Sequence, residues 1–436
     1  MYKIEGGNYM EQQYIVLAIL GFFIFGLVYN KWSFGLTSLM CCVLLFLTGV
    51  CTLKEAFSGL VEPTMLLVAG MYVMSAAFSK TQLMTDIQNT LFKLQGKSGL
   101  LMTVGVYLVV ILFCTFIPPG VTGAIMVAFL SSLGNDNPVS MSRLVIPACS
   151  LACLWCGTLP MGFGSSAFAG INAFYEGLTT DPSQLVTFFQ PFIFRIIPCV
   201  LCTLWAIFGN KVMPQKGPYC EMVEETVAHK DDTKLTKRNQ NIIYVTFAIV
   251  MIAMIFSGKL GSLAYCLPVV GALVLLFTKA LPRDDINNAA TSDMAWFMVG
   301  ILSLSNAMSS TGAGNTLGHA VLSLLGAGAS PYVTLLFFGF ICCFITNLMS
   351  NMATKAIFTP IAAATAIAAG WNPIPFVLIC TQMPMCACVL PASHEGVAMG
   401  HIAAGQKLTD TLKWTLPYCA FALAGCMIST ILFFPL

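Results

Sequence analysis

The stretch of sequence that decides the fold is TNLMSNMAT, residues 346–354. Its side chains Asn347, Ser350, Asn351 and Thr354 can all form hydrogen bonds, although apolar runs flank the stretch on both sides. A segment in hydrocarbon does not normally carry such a polar cluster unless a cavity inside the protein receives it. The sequence therefore predicts a polar tip within a membrane, presented to something that crosses the membrane.

The composition indicates the class of protein. The chain has 436 residues, of which 58% are hydrophobic and 9% are charged, whereas roughly 25% of residues are charged in a soluble domain. A soluble protein of this length would need far more polar surface, so we expect a polytopic membrane protein. No cleavable signal is expected, because residues 2–13 are weakly acidic and no small-residue cleavage site follows the first apolar run.

Apolar runs long enough to span a bilayer occur in the same order in both halves of the chain. Each half has three such runs, then an amphipathic stretch, a hairpin, a broken helix and a last apolar run. The predicted divisions are a first repeat at 1–210, with a hairpin at about 98–135 and a broken helix at about 143–175, a linker at 211–240, and a second repeat at 241–436, with a hairpin at about 330–370 and a broken helix at about 373–405.

Individual residues also match between the two halves. Gly70 falls on Gly300, and Leu159-Pro160 falls on Leu390-Pro391, at offsets of 230 and 231 positions. The shared order of the helix breaks is harder to obtain by chance than these identities. The sequence therefore predicts an internal repeat of the kind that builds many secondary transporters.

The basic residues predict the orientation in the membrane. With five spans in each half, the two repeats are inverted, and 15 of the 20 lysines and arginines fall on one face and 3 on the other. Such a bias marks the cytoplasmic side, so we expect the linker 211–240 to be cytoplasmic and both termini to be extracytoplasmic. The predicted fold is an all-α polytopic protein of the cell membrane, with ten transmembrane helices, two re-entrant hairpins and two broken helices.

Hairpin tips and helix breaks inside a membrane favour the binding of ions. The amino termini of half-helices are positive ends of dipoles, which suits an anion, and unwound carbonyls and hydroxyls suit sodium. Ser350 and Asn351 can cap the returning arm of the second hairpin, and Pro119 suits the first turn of a helix in the first hairpin. The alternative is that both tips are ordinary turns in a packed helix bundle.

The whole chain resembles the divalent anion:sodium symporter family of the ion transporter superfamily. The resemblance is carried by the second tip 350–354, by Thr122 in the first tip, by Gly157-Thr158 before the first break and by Leu390-Pro391 before the second break. It implies an elevator-type homodimer that moves a dicarboxylate, a tricarboxylate or sulfate together with sodium. It implies no cofactor besides Na⁺ as the coupling ion, no nucleic-acid partner and no enzymatic activity.

The Thr-Pro-Pro-Asn expected after each break is absent, and Gly164-Ser165-Ser166 and Ser393-His394-Glu395-Gly396 stand there instead. We carry the family's roles over to the matching positions. The predicted substrate-binding residues are Ser350, Asn351, Thr354, Thr122, Ser165, Ser166 and His394, and the predicted cation-binding residues are Asn351, Gly157, Thr158, Ser393 and Glu395.

Ionisable residues within apolar segments are functional candidates. In one interpretation Glu395 binds a cation or a proton and His394 contacts the anion. In a second, Lys355 and His394 supply positive charge where symporters place sodium, which would give an anion exchanger or a proton-coupled carrier. In a third, Glu395 forms a structural salt bridge. For Arg195, snorkelling to the interface or an ion pair is favoured over substrate binding.

Two other classes of function are an intramembrane enzyme and a channel. The pair His394-Glu395 with His401 superficially resembles a metalloprotease motif, but that chemistry needs two histidines one helical turn apart on one zinc ion. Here the histidines are seven residues apart, or roughly 10 Å along a helix, so an enzyme is not expected. A channel stays an alternative, because hairpins and broken helices also build pores.

Overall fold

A computed structural model of the chain describes residues 9–29, 31–83, 86, 99–131, 140–214, 235–255, 260, 262–291, 293–326, 330–390 and 393–436. Most of the predicted linker and most of the first predicted amphipathic stretch lie outside these residues. The described residues form helices joined by short loops, and no strand occurs among them.

The helices follow the order expected from the apolar runs. They are α1 (Tyr9–Tyr29), α2 (Phe34–Leu47), α3 (Leu53–Ala56), α4 (Pro63–Ser79), α5 (Gly99–Phe116), α6 (Pro119–Ser131), α7 (Met141–Trp155), α8 (Ala167–Asn172), α9 (Gln190–Gly209), α10 (Lys237–Ile255), α11 (Ser262–Phe277), α12 (Arg283–Ala290), α13 (Asp293–Thr311), α14 (Ala313–Leu325), α15 (Pro331–Thr346), α16 (Asn351–Ala368), α17 (Pro373–Gln382), α18 (Glu395–Ala404) and α19 (Leu408–Phe433).

Local sequence explains where several helices begin. The hydroxyl of Ser33 accepts a hydrogen bond from the backbone N–H of Leu36 at the start of α2, and the side chain of Asn372 accepts one from Ile374 at the start of α17. These side chains satisfy N–H groups that have no partner within the helix. Proline occupies the first position of α4, α15 and α17, where its missing N–H costs nothing.

Much of the exposed surface of the described helices is apolar, as a lipid environment requires. Within the described part of the chain, three helical segments are long and apolar enough to cross a bilayer, namely Gly99–Phe116, Gln190–Val212 and Leu408–Phe433, and further apolar helices are 10–17 residues long. Large side chains such as Phe277 (79% exposed) and Leu324 (87% exposed) point outward. This surface is that of a multi-pass membrane protein.

The first group of helices is built around two extensive contacts, α2 with α13 and α4 with α11. Each contact uses a glycine of the matched pair found in the sequence. A Cβ atom on Gly300 would lie 2.7 Å from the carbonyl carbon of Ser38 in α2, and one on Gly70 would lie 2.6 Å from the carbonyl carbon of Pro268 in α11. Both glycines therefore let two helix backbones approach each other closely.

The second group holds the two hairpins and the two interrupted helices. The first hairpin is α5 and α6, and the second is α15 and α16. Helix α7 packs on α5 and α6, α17 packs on α15 and α16, and α18 packs on both α6 and α7. Helices α9 and α19 form another extensive contact, at which a Cβ on Gly425 would lie 2.4 Å from the Cα of Pro198. The second group brings both helix breaks together.

Candidate functional site

The tip of the second hairpin is shaped by its own side chains. Helix α15 ends at Thr346 and α16 begins at Asn351, and between them Ser350 has an extended backbone. The Ser350 hydroxyl accepts a hydrogen bond of 3.1 Å from the backbone N–H of Ala353, so the predicted cap is confirmed for this residue. Thr354 in turn donates its hydroxyl to the Ser350 carbonyl at 3.1 Å.

Hydrogen bonds fix this tip to the second break. The Thr346 hydroxyl, which is fully buried, lies 2.9 Å from both Asn351 Oδ1 and the Pro384 carbonyl oxygen. Asn347 Oδ1 accepts a bond of 2.8 Å from the backbone N–H of Val389. The polar residues at 346–351 therefore supply partners for backbone groups that the interruption of the helix leaves without helical partners.

The second break lies between the end of α17 at Gln382 and the start of α18. The hydroxyl of Ser393 lies 2.9 Å from the Ala387 carbonyl oxygen and 2.6 Å from the Leu390 carbonyl oxygen. His394 is the N-cap of α18, and its Nδ1 accepts a bond of 3.1 Å from the backbone N–H of Gly396. The predicted cation ligand Ser393 thus lies among unwound backbone carbonyls.

The start of α18 lies against the first hairpin. A Cβ atom on Gly123 in α6 would lie 2.9 Å from the Cα of Gly396, and one on Gly396 would lie 2.9 Å from the Pro119 carbonyl oxygen. Helix α6 begins at Pro119 as predicted, so the amino termini of α6 and α18 meet. Thr122 is buried in the first turn of α6, 3.5 Å from the Ile117 carbonyl oxygen. The side chain of Glu395 and residues 391–392 lie outside the described structure.

The first break follows α7 and begins at a glycine in the left-handed region. Gly157 has φ +72°, a conformation that other residues adopt only at an energetic cost. The hydroxyl of Thr158 lies 3.3 Å from the Leu154 carbonyl oxygen. Ser165 and Ser166 bond to carbonyls within their own turn, at 2.6 and 3.3 Å. The hydroxyls of Thr158, Ser165 and Ser166 therefore form hydrogen bonds with nearby backbone carbonyls of α7 and of the break itself.

Arg195 of α9 connects the two breaks. Its Nη1 donates to the Gly157 carbonyl oxygen at 3.0 Å, and its Nη2 donates to the hydroxyl of Thr381, near the end of α17, at 3.3 Å. Gln382 adds a second link, since its Nε2 donates to the Leu154 carbonyl oxygen of α7 at 3.4 Å. The sequence favoured snorkelling or an ion pair for Arg195. Instead the residue is only 5% exposed, its guanidinium donates to the two breaks, and no described carboxylate pairs with it.

A second cationic residue lies close to Arg195. Lys355, one turn into α16, places its Nζ 2.9 Å from the sulfur of Met385 in the second break. Met385 lies four residues after Thr381, the residue to which Arg195 donates, so both cationic side chains lie at the second break. Among the described side chains, no carboxylate forms a salt bridge with either residue. The meeting point of the two breaks therefore carries positive charge that these side chains do not neutralise.

The structure joins the second tip to the second break, and the two breaks to each other, through contacts that the sequence did not indicate. Arg195, Thr381 and Gln382 were not among the predicted site residues. The available signal was an arginine within an apolar run, whose burial in lipid would be costly. Its partners could not be read from that signal, because Gly157 and Thr381 are 38 and 186 residues away along the chain.

The sequence model of the citrate transporter family (CitMHS: Citrate transporter) matches residues 20–381. The chain belongs to the citrate transporter family. The resemblance to anion symporters of the ion transporter superfamily is thereby confirmed, and the protein is a membrane transporter.

The relatives with curated sequences are described as transporters without a stated substrate. An uncharacterized transporter of Haemophilus influenzae is 22% identical over 398 residues, which cover 87% of this chain and 82% of that protein. The uncharacterized transporter sll0640 of Synechocystis is 25% identical over 188 residues, which cover 43% of this chain and 30% of that protein. The match to the Synechocystis protein thus spans less than a third of its length.

Two solved structures share the fold. The YdaH transporter of Alcanivorax borkumensis, whose topology is described as unusual, superposes with a TM-score of 0.60 at 15% identity and covers 96% of both chains. Neisseria gonorrhoeae MtrF, described within a class of antimetabolite efflux pumps, superposes with a TM-score of 0.58 at 17% identity and covers 90% of this chain and 84% of that chain. At these identities the likeness concerns the fold alone.

Proposed function

We propose that the chain is a secondary active transporter of small dianions, of the di- or tricarboxylate or sulfate class. The observation that supports this proposal best is the positive charge of Arg195 and Lys355 where the two breaks meet. An isolated buried charge is costly unless it is paired, and no described carboxylate pairs with either side chain. An anion that enters from solution would neutralise both charges, and the description of the family points to citrate.

The coupling ion we propose first is sodium. The second break offers oxygen atoms of the kind that bind sodium at unwound helices in transporters: the backbone carbonyls at 386–390, the Ser393 hydroxyl and the amide oxygen of Asn351. Anion exchange or proton coupling is the second candidate. The fixed charges of Arg195 and Lys355 favour it, because they could neutralise an anion without any sodium ion.

The architecture we propose has ten spans and two re-entrant hairpins in two inverted repeats. Two helix contacts support this arrangement, α2 with α13 and α4 with α11. At the offset between the two halves of the chain, α2 corresponds to α11 and α4 corresponds to α13, so each contact is the repeat equivalent of the other. The orientation follows the basic residues, with both termini extracytoplasmic. We further propose a homodimer in which the group with α2, α4, α11 and α13 is a scaffold, and the group with the hairpins moves as an elevator.

The test of the proposed transport is uptake of labelled anions into liposomes that contain the purified protein. Citrate, succinate and sulfate are supplied under an inward sodium gradient, an inward proton gradient or an internal load of the same anion. We expect saturable uptake of at least one dianion that responds to one of these gradients. If no gradient drives uptake of any of these anions, the proposal is wrong, and single-channel currents in planar bilayers would contradict a carrier mechanism.

A further inference from the structure

The carbonyl of Gly157 is already bound to a positive charge that belongs to the protein. Gly157 and Thr158 are the residues expected to bind a coupling cation at the first break. In the structure the Gly157 carbonyl oxygen accepts a bond of 3.0 Å from Arg195 Nη1, and the Thr158 hydroxyl lies 3.3 Å from the Leu154 carbonyl oxygen. Both expected ligands are engaged by groups of the protein.

We propose that the guanidinium of Arg195 is a tethered cation that takes the place of a sodium ion at the first break and binds one carboxylate of the substrate. The carrier would then need at most one sodium ion per cycle, bound at the second break. This inference rests on the proposed function as an anion transporter, and it concerns how that transporter balances the charge of its substrate.

The guanidinium has donors left for a ligand. Arginine carries five N–H donors in a planar fork, and the hydrogen bonds of Arg195 in the described structure use one donor of Nη1 and one of Nη2. The Nε atom is buried and has no hydrogen-bond partner. Buried donors are nearly always paired, so an unpaired one points to a missing acceptor. A carboxylate fits, because it can accept two parallel bonds from the fork.

The surroundings of Arg195 match a dianion better than a monoanion. Lys355 lies at the same break as Arg195, because its Nζ is 2.9 Å from the sulfur of Met385 and Arg195 donates to Thr381, four residues earlier. Two like charges in one interior region are unfavourable until opposite charge arrives. One substrate carboxylate on Arg195 and a second near Lys355 would neutralise both. Among the described side chains, no lysine or arginine donates to the backbone carbonyls at 386–390, so the second break remains the region for sodium.

A purely structural role for Arg195 makes a different prediction. The two hydrogen bonds of Arg195 join α9 to the first break and to α17, so the residue could serve only to fix the two breaks relative to each other. In that case its removal would lower the stability and the transport rate, but it would leave the preference for doubly charged substrates unchanged. The preference for a doubly charged over a singly charged substrate is therefore the quantity to measure.

The first experiment measures wild-type uptake of labelled succinate in proteoliposomes as a function of sodium concentration. We expect a Hill coefficient of about 1, or uptake without sodium, since a tethered cation leaves one site at most. A Hill coefficient of 2 or more would overturn the proposal. If wild-type protein transports no anion under any gradient, the proposed function itself fails, which is a separate outcome.

The second experiment compares the variants Arg195→Gln and Arg195→Lys with Arg143→Gln. Arg143 is the matched control, because its Nε also donates to a backbone carbonyl, that of Met213, at 2.8 Å, but it lies in the first turn of α7. Uptake of succinate is compared with inhibition by succinate and by its singly charged monomethyl ester. We expect Arg195→Gln to raise the KM for succinate about 30-fold or more and to lose the preference for succinate over the ester.

The other variants complete this comparison. Arg195→Lys retains a charge but not the fork, so it should keep the preference for succinate with a smaller rise in KM. Arg143→Gln should behave as wild type. The proposal is contradicted if folded Arg195→Gln protein keeps the wild-type preference for the doubly charged substrate. Where Arg195→Gln does not elute as a single species, two other results still test the proposal. One is the wild-type Hill coefficient. The other is the Arg195→Lys variant, in which an equal preference for both substrates would contradict the proposal as well.

Discussion

Replacement of Gly300 by alanine tests the closest helix contact of the first helix group. A Cβ atom at this position would lie 2.3 Å from the Cβ of Ser38 and 2.7 Å from its carbonyl carbon and oxygen. Ordinary contacts of a Cβ atom begin at about 3.4 Å, so α13 and α2 would have to separate by roughly 1.1 Å to relieve the contact with the Ser38 Cβ. The obstacle is backbone, which cannot rotate away as a flexible side chain could.

The expected cost is that of overpacking, about 1–3 kcal/mol of the free energy of unfolding. The matched control is Gly21→Ala in α1, where no atom lies within 4 Å of the new methyl group. At that position alanine gains helix propensity of up to about 1 kcal/mol over glycine. Gly300 also lies within a helix and gains the same propensity, so the two variants should differ by the overpacking cost of about 1–3 kcal/mol, although each adds the same methyl group to a helix.

The assay is thermal unfolding of the purified proteins in one detergent, followed by tryptophan fluorescence and by recovery of the monodisperse peak on gel filtration. Because unfolding of membrane proteins is commonly irreversible, half-lives at a fixed temperature are compared as well as midpoints. We expect the order Gly21→Ala, wild type, Gly300→Ala from the most to the least stable. A Gly300→Ala variant as stable as the wild type would refute the close packing of α2 on α13.

Three further substitutions probe the helix breaks and their supports. Thr346→Val should lower the free energy of unfolding by about 1–3 kcal/mol, because the buried Pro384 carbonyl loses its donor, and Thr346→Ser should lower it less in the same thermal assay. Asn172→Leu should lower the free energy of unfolding by about 2–4 kcal/mol, since the Asn172 amide bonds both the N–H and the carbonyl of Val186 at 2.9 Å. Unchanged stability would show that these two hydrogen bonds do not stabilise the fold. Gly157→Ala should lower the free energy of unfolding by about 1–2 kcal/mol, because its φ is positive. The same variant should raise the KM for succinate in proteoliposomes. An unaltered KM would show that the position of the Gly157 carbonyl does not affect transport.

The parts of the structure that the sequence predicted are those governed by neighbouring residues. Ser350 caps α16 because its hydroxyl needs to reach only three residues along the chain. Helix α6 begins at Pro119 because proline fits a first turn. The two breaks fall where glycine, serine and proline interrupt apolar runs, since such residues favour turns over helix. Propensity and hydrophobic pattern act over a few residues, so one sequence suffices to read them.

The positions of the charged residues in the sequence also limited where their side chains can lie in the fold. An arginine and a lysine within apolar segments cannot face lipid without a large cost, so the sequence alone required either an interior partner or a route to the interface for Arg195 and Lys355. It favoured the interface or an ion pair for Arg195. That choice depends on which face of α9 turns inward, and the nearly uniform apolar character of the helix leaves the inward face undetermined.

Only the tertiary structure decided what the two cations meet. The rotation of α9 against α7 and α17 places Arg195 on the Gly157 carbonyl and on Thr381, and the close approach of Gly123 to Gly396 joins the starts of α6 and α18. These contacts depend on the packing of helices that are distant in the chain, and each helix pair allows several crossing angles. The sequence therefore determined a membrane transporter with polar tips and broken helices, and packing determined where its positive charge lies.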